Sequence, residues 1–183
     1  MYNEKKINRN AYIWNTAGSM LNAFQSVIML MVLTRVCDLV VAGIFTIAYA
    51  NASLFLNVGN YGMRNFQASD ILPQFTFKTY LRSRVLTGSA MLIGSLLFLA
   101  FSAVSVGYSA EKIAAIVLMT FFKMIDTAED IFDGNFQQHG RLDIGGRLQT
   151  GRVGSTIVVF CVCAALSQSL IVSLAVATVY SLA

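Results

Sequence analysis

Charge divides this chain into apolar blocks of about twenty residues, the length a helix needs to cross the ~30 Å hydrocarbon core of a bilayer. The blocks cover residues 10–33, 40–60, 85–107, 113–136, 153–167 and 170–183. Only 12% of the residues are charged, against roughly 25% in ordinary soluble domains, and 56% are hydrophobic. A single proline, Pro73, interrupts the chain. The expected fold class is therefore all-α and integral to a membrane, a bundle of about six transmembrane helices.

The basic residues, 13 against 9 acidic ones, form no stripe that would suit a nucleic acid. They sit between the blocks and read as topology signals. With the N-terminus inside, the inner segments hold Lys5, Lys6, Arg9, Arg64, Lys78, Arg82, Arg84, Arg141, Arg147 and Arg152, whereas the outer ones hold Arg35 and Lys112. That asymmetry predicts a cytoplasmic N-terminus. The first block is too long and too rich in amides for a cleaved secretion signal. Between Arg64 and Arg84, aromatic and polar residues alternate around Pro73, which predicts an interfacial elbow with Thr76 capping the next helix. Residues 137–152, with four glycines, predict a short cytoplasmic connector. The last block holds about 14 residues, short of the ~20 a crossing needs, so the reading expects a truncated chain whose remaining spans pack against these.

Polar residues within a span must face another helix or water. At 100° per residue, Asn15, Gly18, Ser19, Asn22, Gln25 and Ser26 share about 120° of the first helix. Thr46, Tyr49, Ser53, Asn57 and Asn60 share one face of the second, with Asn51 pointing elsewhere. These stripes are either helix-packing faces or the lining of an aqueous cavity suited to sugar hydroxyls. In the fourth block, Lys123, Asp126, Glu129, Asp130, Asp133 and Gln137 share another arc. A charge at mid-membrane costs at least about 2.5 kcal/mol, so these groups must turn toward protein or water. Counting about 20 residues from Ile113 puts the hydrocarbon exit near Phe132, which places Asp130 and Asp133 at the cytoplasmic interface. Lys123 and Asp126 are then the intramembrane pair, three residues apart and able to neutralise each other. They are either an internal ion bridge or, with Glu129 and Asp130, a site for ion coupling or gating by H+ or Na+. Catalysis has no support: His139 stands alone in a connector, and Cys37, Cys161 and Cys163 lack metal or redox spacing. No cofactor or metal is expected.

Several words of the sequence resemble polysaccharide and O-antigen flippases of the multidrug, oligosaccharidyl-lipid and polysaccharide exporter superfamily. They are Trp14-Asn15-Thr16-Ala17-Gly18-Ser19, Thr34-Arg35, Ala42-Gly43-Ile44-Phe45, Tyr61-Gly62-Met63-Arg64-Asn65-Phe66-Gln67, Glu129-Asp130-Ile131-Phe132-Asp133-Gly134 and Gln137-Gln138-His139-Gly140-Arg141-Leu142-Asp143-Ile144. The resemblance implies a two-lobe alternating-access transporter of twelve to fourteen spans in a bacterial cytoplasmic membrane, with residues 1–183 as its N-terminal lobe and the C-terminal lobe missing. Its cargo would be an undecaprenyl-diphosphate-linked oligosaccharide for lipopolysaccharide and other surface polysaccharides, and its partners that glycolipid, membrane lipids and the second lobe. Asn15, Asn22, Gln25, Asn57, Arg35 and Arg64 are the expected cavity residues, the arginines being suited to a diphosphate. The alternatives are a multidrug or cation extruder of the same superfamily and a membrane-embedded enzyme of envelope assembly.

Overall fold

A computed structural model describes residues 2–70 and 74–182, with side chains from residue 8 onward. Ile71, Leu72 and Pro73 of the expected elbow, Ala183, and the side chains of Lys5 and Lys6 lie outside the described residues. Every element is helical: α1 (Tyr2–Val36), α2 (Leu39–Asn60), α3 (Met63–Ser69), α4 (Phe77–Val106), α5 (Ala110–Gln138), α6 (Leu142–Ser167) and α7 (Leu170–Leu182). Among the described residues four stretches are long and apolar enough to cross a membrane: 8–36 in α1, 39–69 across α2 and α3, α4, and α6. The other two expected spans differ. At 29 residues α5 is as long, but its charged face lowers its hydropathy, and α7 has only 13 residues.

Helix boundaries follow local chemistry. Tyr61 (φ 42°) and Gly62 (φ 63°) both adopt the left-handed conformation, which ends α2 and turns the chain into the roughly two turns of α3. Ser109 caps α5 by accepting from the Lys112 amide at 3.3 Å. Thr76 occupies the N-cap position of α4, but its hydroxyl meets that of Thr79 at 3.1 Å and bonds no amide.

The connector expected at 137–152 is a correction. Only Gly140 and its neighbours form a turn, and from Leu142 the chain is already helical. The glycines there serve packing. Gly145 and Gly146 are buried, and a Cβ on Gly146 would lie 2.6 Å from the Asn15 nitrogen. The two backbones of α1 and α6 are thus in direct contact, as small residues permit between membrane helices.

Helix α5 is the hub, packed against α2, α3, α4, α6 and α7, while α1 lies chiefly along α6. Its two halves differ. Toward Lys112 it buries Ala115, Ile116, Met119 and Phe122 in a core shared with Met29, Phe45, Phe160 and Leu174. Beyond Phe122 the buried side of the helix becomes ionic.

The elbow has its own fastening. Asp70 accepts from the Gln74 amide at 3.1 Å and from the Tyr80 hydroxyl at 2.8 Å, beneath a cluster of Phe66, Phe75 and Tyr80. The Gln74 amide first, and the Tyr80 hydroxyl second, hold the Asp70 carboxyl below its ordinary value. A depressed carboxyl contributes stability fully above its unfolded pKa of about 3.9, and the contribution is lost as pH falls through the lower folded value. Exchange of the Gln74 amide, normalised for intrinsic rate, should therefore be flat above about pH 4 and accelerate below it; Asp70→Asn should abolish that acid step, and an unchanged profile would contradict the fastening.

Candidate functional site

Sequence periodicity places five ionisable side chains on one side of α5, and the fold surrounds them with cations from three other helices. Lys123, 1% exposed, donates to Asp126 Oδ2 at 2.8 Å and to the amide oxygen of Gln25 on α1 at 2.8 Å. The ring of Tyr49 lies 4.8 Å from the Lys123 ammonium. The other Asp126 oxygen accepts from Arg152 on α6 at 2.7 Å. Arg152 also pairs with Glu129, Nε to Oε2 at 2.9 Å, and reaches Ser181 on α7 at 2.8 Å. Asp130 accepts from Arg84 on α4 at 2.5 Å and lies 3.9 Å from Arg64 on α3. Arg84 further donates to the Gly59 carbonyl at 2.6 Å, and Arg64 reaches Asp133 at 3.4 Å and Gln137 at 3.3 Å.

Four cations (Arg64, Arg84, Lys123, Arg152) thus meet four carboxylates (Asp126, Glu129, Asp130, Asp133). The network is neutral as a whole, which is the condition for placing it among apolar helices. It also ties the six other helices to α5, directly or through its arginines.

Two expectations change here. Arg84 and Arg152, read as charges of cytoplasmic segments, are members of the buried network. Asp130 and Asp133 are held by protein cations: Asp133 is 4% exposed beside Arg64, and Asp130 pairs with Arg84 and Arg64. Gly145 lies close by, where a Cβ would come within 2.8 Å of an Asp133 oxygen.

The network opens on a cavity of about 110 Å³ lined by Asn22, Leu56, Asn60, Arg64, Gln149 and Arg152 together with the α5 carboxylates. Liquid water takes about 30 Å³ per molecule, so the recess admits a few waters or the edge of a polar group. The Asn60 Oδ1 atom is buried there without a hydrogen-bond donor.

The expected cavity residues separate. Asn22, Arg64, Asp126, Glu129 and Asp130 come together around this recess, with Gln25 and Lys123 bonded directly behind it. Asn15 lies instead against Gly146 in the α1–α6 contact. Asn57 is exposed and folds its amide back onto the Ser53 carbonyl at 3.2 Å. Arg35 is exposed at the far end of α1, among neither group. The α1 stripe therefore serves both purposes that its composition allowed, packing near Asn15 and lining near Asn22. Asn51, off the α2 stripe, accepts from Ser95 at 3.0 Å, and Ser95 meets Thr120 at 2.9 Å.

Asn60 and Gln149 are cavity residues that sequence reasoning did not single out as a site. Asn60 belonged to the α2 stripe, but Gln149 fell in a presumed loop. Its helical phase, three residues before Arg152, becomes visible only once α6 is known to begin at Leu142. Among the described residues no cluster of three metal-ligating side chains occurs. Comparison with family models, curated proteins and solved structures finds no match at the level that identifies a relative.

Proposed function

We propose that the chain is the N-terminal lobe of a flippase that carries a lipid-linked oligosaccharide across a bacterial cytoplasmic membrane, with its N-terminus inside. The observation that carries this reading is a hydrophilic recess, amide-lined and floored by a neutral ionic network, set among helices apolar enough to cross a bilayer. A dry bundle has no use for it. Intramembrane ionisable groups mark transport pathways more often than scaffolding, because scaffolding is achieved more cheaply by apolar contact. The amides of Asn22, Asn60 and Gln149 suit hydroxyl-rich cargo, and Arg64 at the rim suits a diphosphate. The resemblance of the sequence to polysaccharide flippases points the same way, and in such a transporter the second lobe supplies the opposite wall.

The α1 and α2 helices make few mutual contacts and rest on different neighbours, α1 on α6 and α2 on α5 and α4. Between them lies a cleft lined by Ser26, Val27, Thr46 and Tyr49, and relative movement of the two pairs would widen or close it. The ionic network is the element such a movement would rearrange.

The test is complementation of a flippase-deficient strain by the gene encoding this chain in its full reading frame, together with Asn22→Leu and Asn60→Leu. Surface polysaccharide should return with the wild type and fall at least tenfold with the double variant, while membrane insertion and thermal midpoint stay unchanged. Failure of the wild type to complement, despite insertion and a matching glycan, would overturn the assignment. Export of cationic dyes without glycolipid movement would favour the extruder.

A further inference from the structure

A second cleft lies away from the charged network, between α2 and α4, where the top of α5 forms its back wall. It has a volume of about 440 Å³ and is lined by Ile47, Leu54, Phe98, Leu99, Tyr108 and Ile116, with Asn51 and Ser102 the polar members. Ile47, Leu54 and Phe98 are 41, 59 and 47% exposed, so the cleft opens outward, toward the surface a bilayer would occupy. Its length follows from the helix levels. Ser95 and Thr120 are in contact, Ser102 lies about 10 Å above Ser95, and Leu54 lies about 4 Å beyond Asn51 on the other side, at 1.5 Å per residue. The cleft is therefore about 15 Å long, parallel to the helices.

Its upper rim carries a cation. Lys112 places its ammonium 3.9 Å from the centre of the Tyr108 ring, and among the described residues no carboxylate lies within ion-pair distance of it. Glu111, one residue earlier, is exposed and about 100° away around the helix. The first turn of α5 adds unpaired backbone N–H groups on the same level. Ser102 supplies an independent sign of a ligand. It is 8% exposed, lines the cleft, and its hydroxyl takes no hydrogen bond among the described residues. By helix level it lies within about 2 Å of Lys112.

We propose that this cleft binds one acyl chain of an anionic phospholipid, with the phosphate against Lys112 and the ester carbonyl accepting from Ser102. The apolar walls take the chain, the hydroxyl meets the first polar group below the phosphate, and the ammonium meets the phosphate itself. Each part of the site matches one part of the molecule in order of depth. The inference rests on the membrane-spanning reading alone and is independent of what cargo the charged recess receives.

The experiment is native mass spectrometry of the detergent-solubilised chain after incubation with equimolar phosphatidylglycerol and phosphatidylcholine. One phosphatidylglycerol should be retained in preference. Lys112→Gln should reduce the preference about fivefold, the effect of one basic residue at an anionic membrane surface. Ile47→Trp, which fills the cleft, should displace the lipid, and Lys78→Gln, an exposed lysine at the other end of the bundle, should change nothing. Thermal unfolding checks that each variant is folded; where Ile47→Trp is not, Leu54→Trp at a more exposed wall position replaces it. Equal retention of the two lipids, a preference that survives Lys112→Gln, or a bound lipid insensitive to the filled cleft would each overturn the proposal.

Discussion

Replacing Asp126 by Asn should lower the thermal midpoint of the chain in detergent by about 10 °C, the equivalent of roughly 3–5 kcal/mol for removing one partner of a buried ion pair. Asp126 holds two cations at once, Lys123 at 2.8 Å and Arg152 at 2.7 Å. Its neutral substitute leaves four cations facing three carboxylates. Lys123 bears most of that loss, because it is 1% exposed and is left with neutral acceptors, the Gln25 amide oxygen among them, in place of a carboxylate. Arg152 keeps Glu129.

The same geometry predicts an asymmetry. Lys123→Met removes a cation whose carboxylate still has Arg152, so it should cost less than Asp126→Asn. Combining the two restores balance, with Arg64, Arg84 and Arg152 facing Glu129, Asp130 and Asp133. The double variant should recover more than half of the stability that Asp126→Asn loses, a strongly non-additive result for residues in contact. Transport separates structure from function here: a double variant that is stable but inactive assigns Lys123 and Asp126 to the transport step, whereas a stable and active one makes them a bridge only. If the double variant is instead as unstable as the sum of its parts, charge balance is not what organises this end of the bundle.

The parts of the architecture visible in the sequence were those governed by periodicity and length. Apolar blocks located the five long helices and the shorter α7, and the 100° arc located the ionic face of α5, because lipid forces both patterns on any helix it surrounds. Pairing was less visible. Arg84 and Arg152 lie more than 20 residues from their partners, and a basic residue near the end of a span looks the same whether it meets phosphate head groups or a carboxylate of another helix. Glycine misled for a different reason. Residues 140–151 have the composition of a loop, yet in a membrane bundle glycine is also the residue that lets backbones touch. Which of these applies depends on the neighbour, and α1 is remote in the chain from α6. Arg35 shows the converse: the resemblance made it a cavity residue, but the length of α1 carries it far from Asn22 and Arg64.

That contrast between glycines yields opposite signs within a single helix. Gly146→Ala should destabilise the chain by about 1–3 kcal/mol, the cost of forcing an extra carbon into a packed contact. Its Cβ would lie 2.6 Å from the Asn15 nitrogen and 2.8 Å from the Trp14 carbonyl carbon, and backbone atoms have no rotamer through which to withdraw. Gly151→Ala, five residues further along α6, meets nothing within 4 Å and should stabilise by up to about 1 kcal/mol, because alanine is the better helix former. The two substitutions are chemically identical, so any difference in thermal midpoint measures the α1–α6 contact alone. The consequence reaches the candidate site as well. Asn22 and Gln25 lie two and three turns along α1 from Asn15, and an α1 pushed off Gly146 carries the Gln25 oxygen away from Lys123. Gly146→Ala should therefore also weaken the hold on Lys123, and adding it to Lys123→Met should cost less than the two separately. Full additivity would mean that α1 yields locally at Asn15 and transmits nothing to the recess.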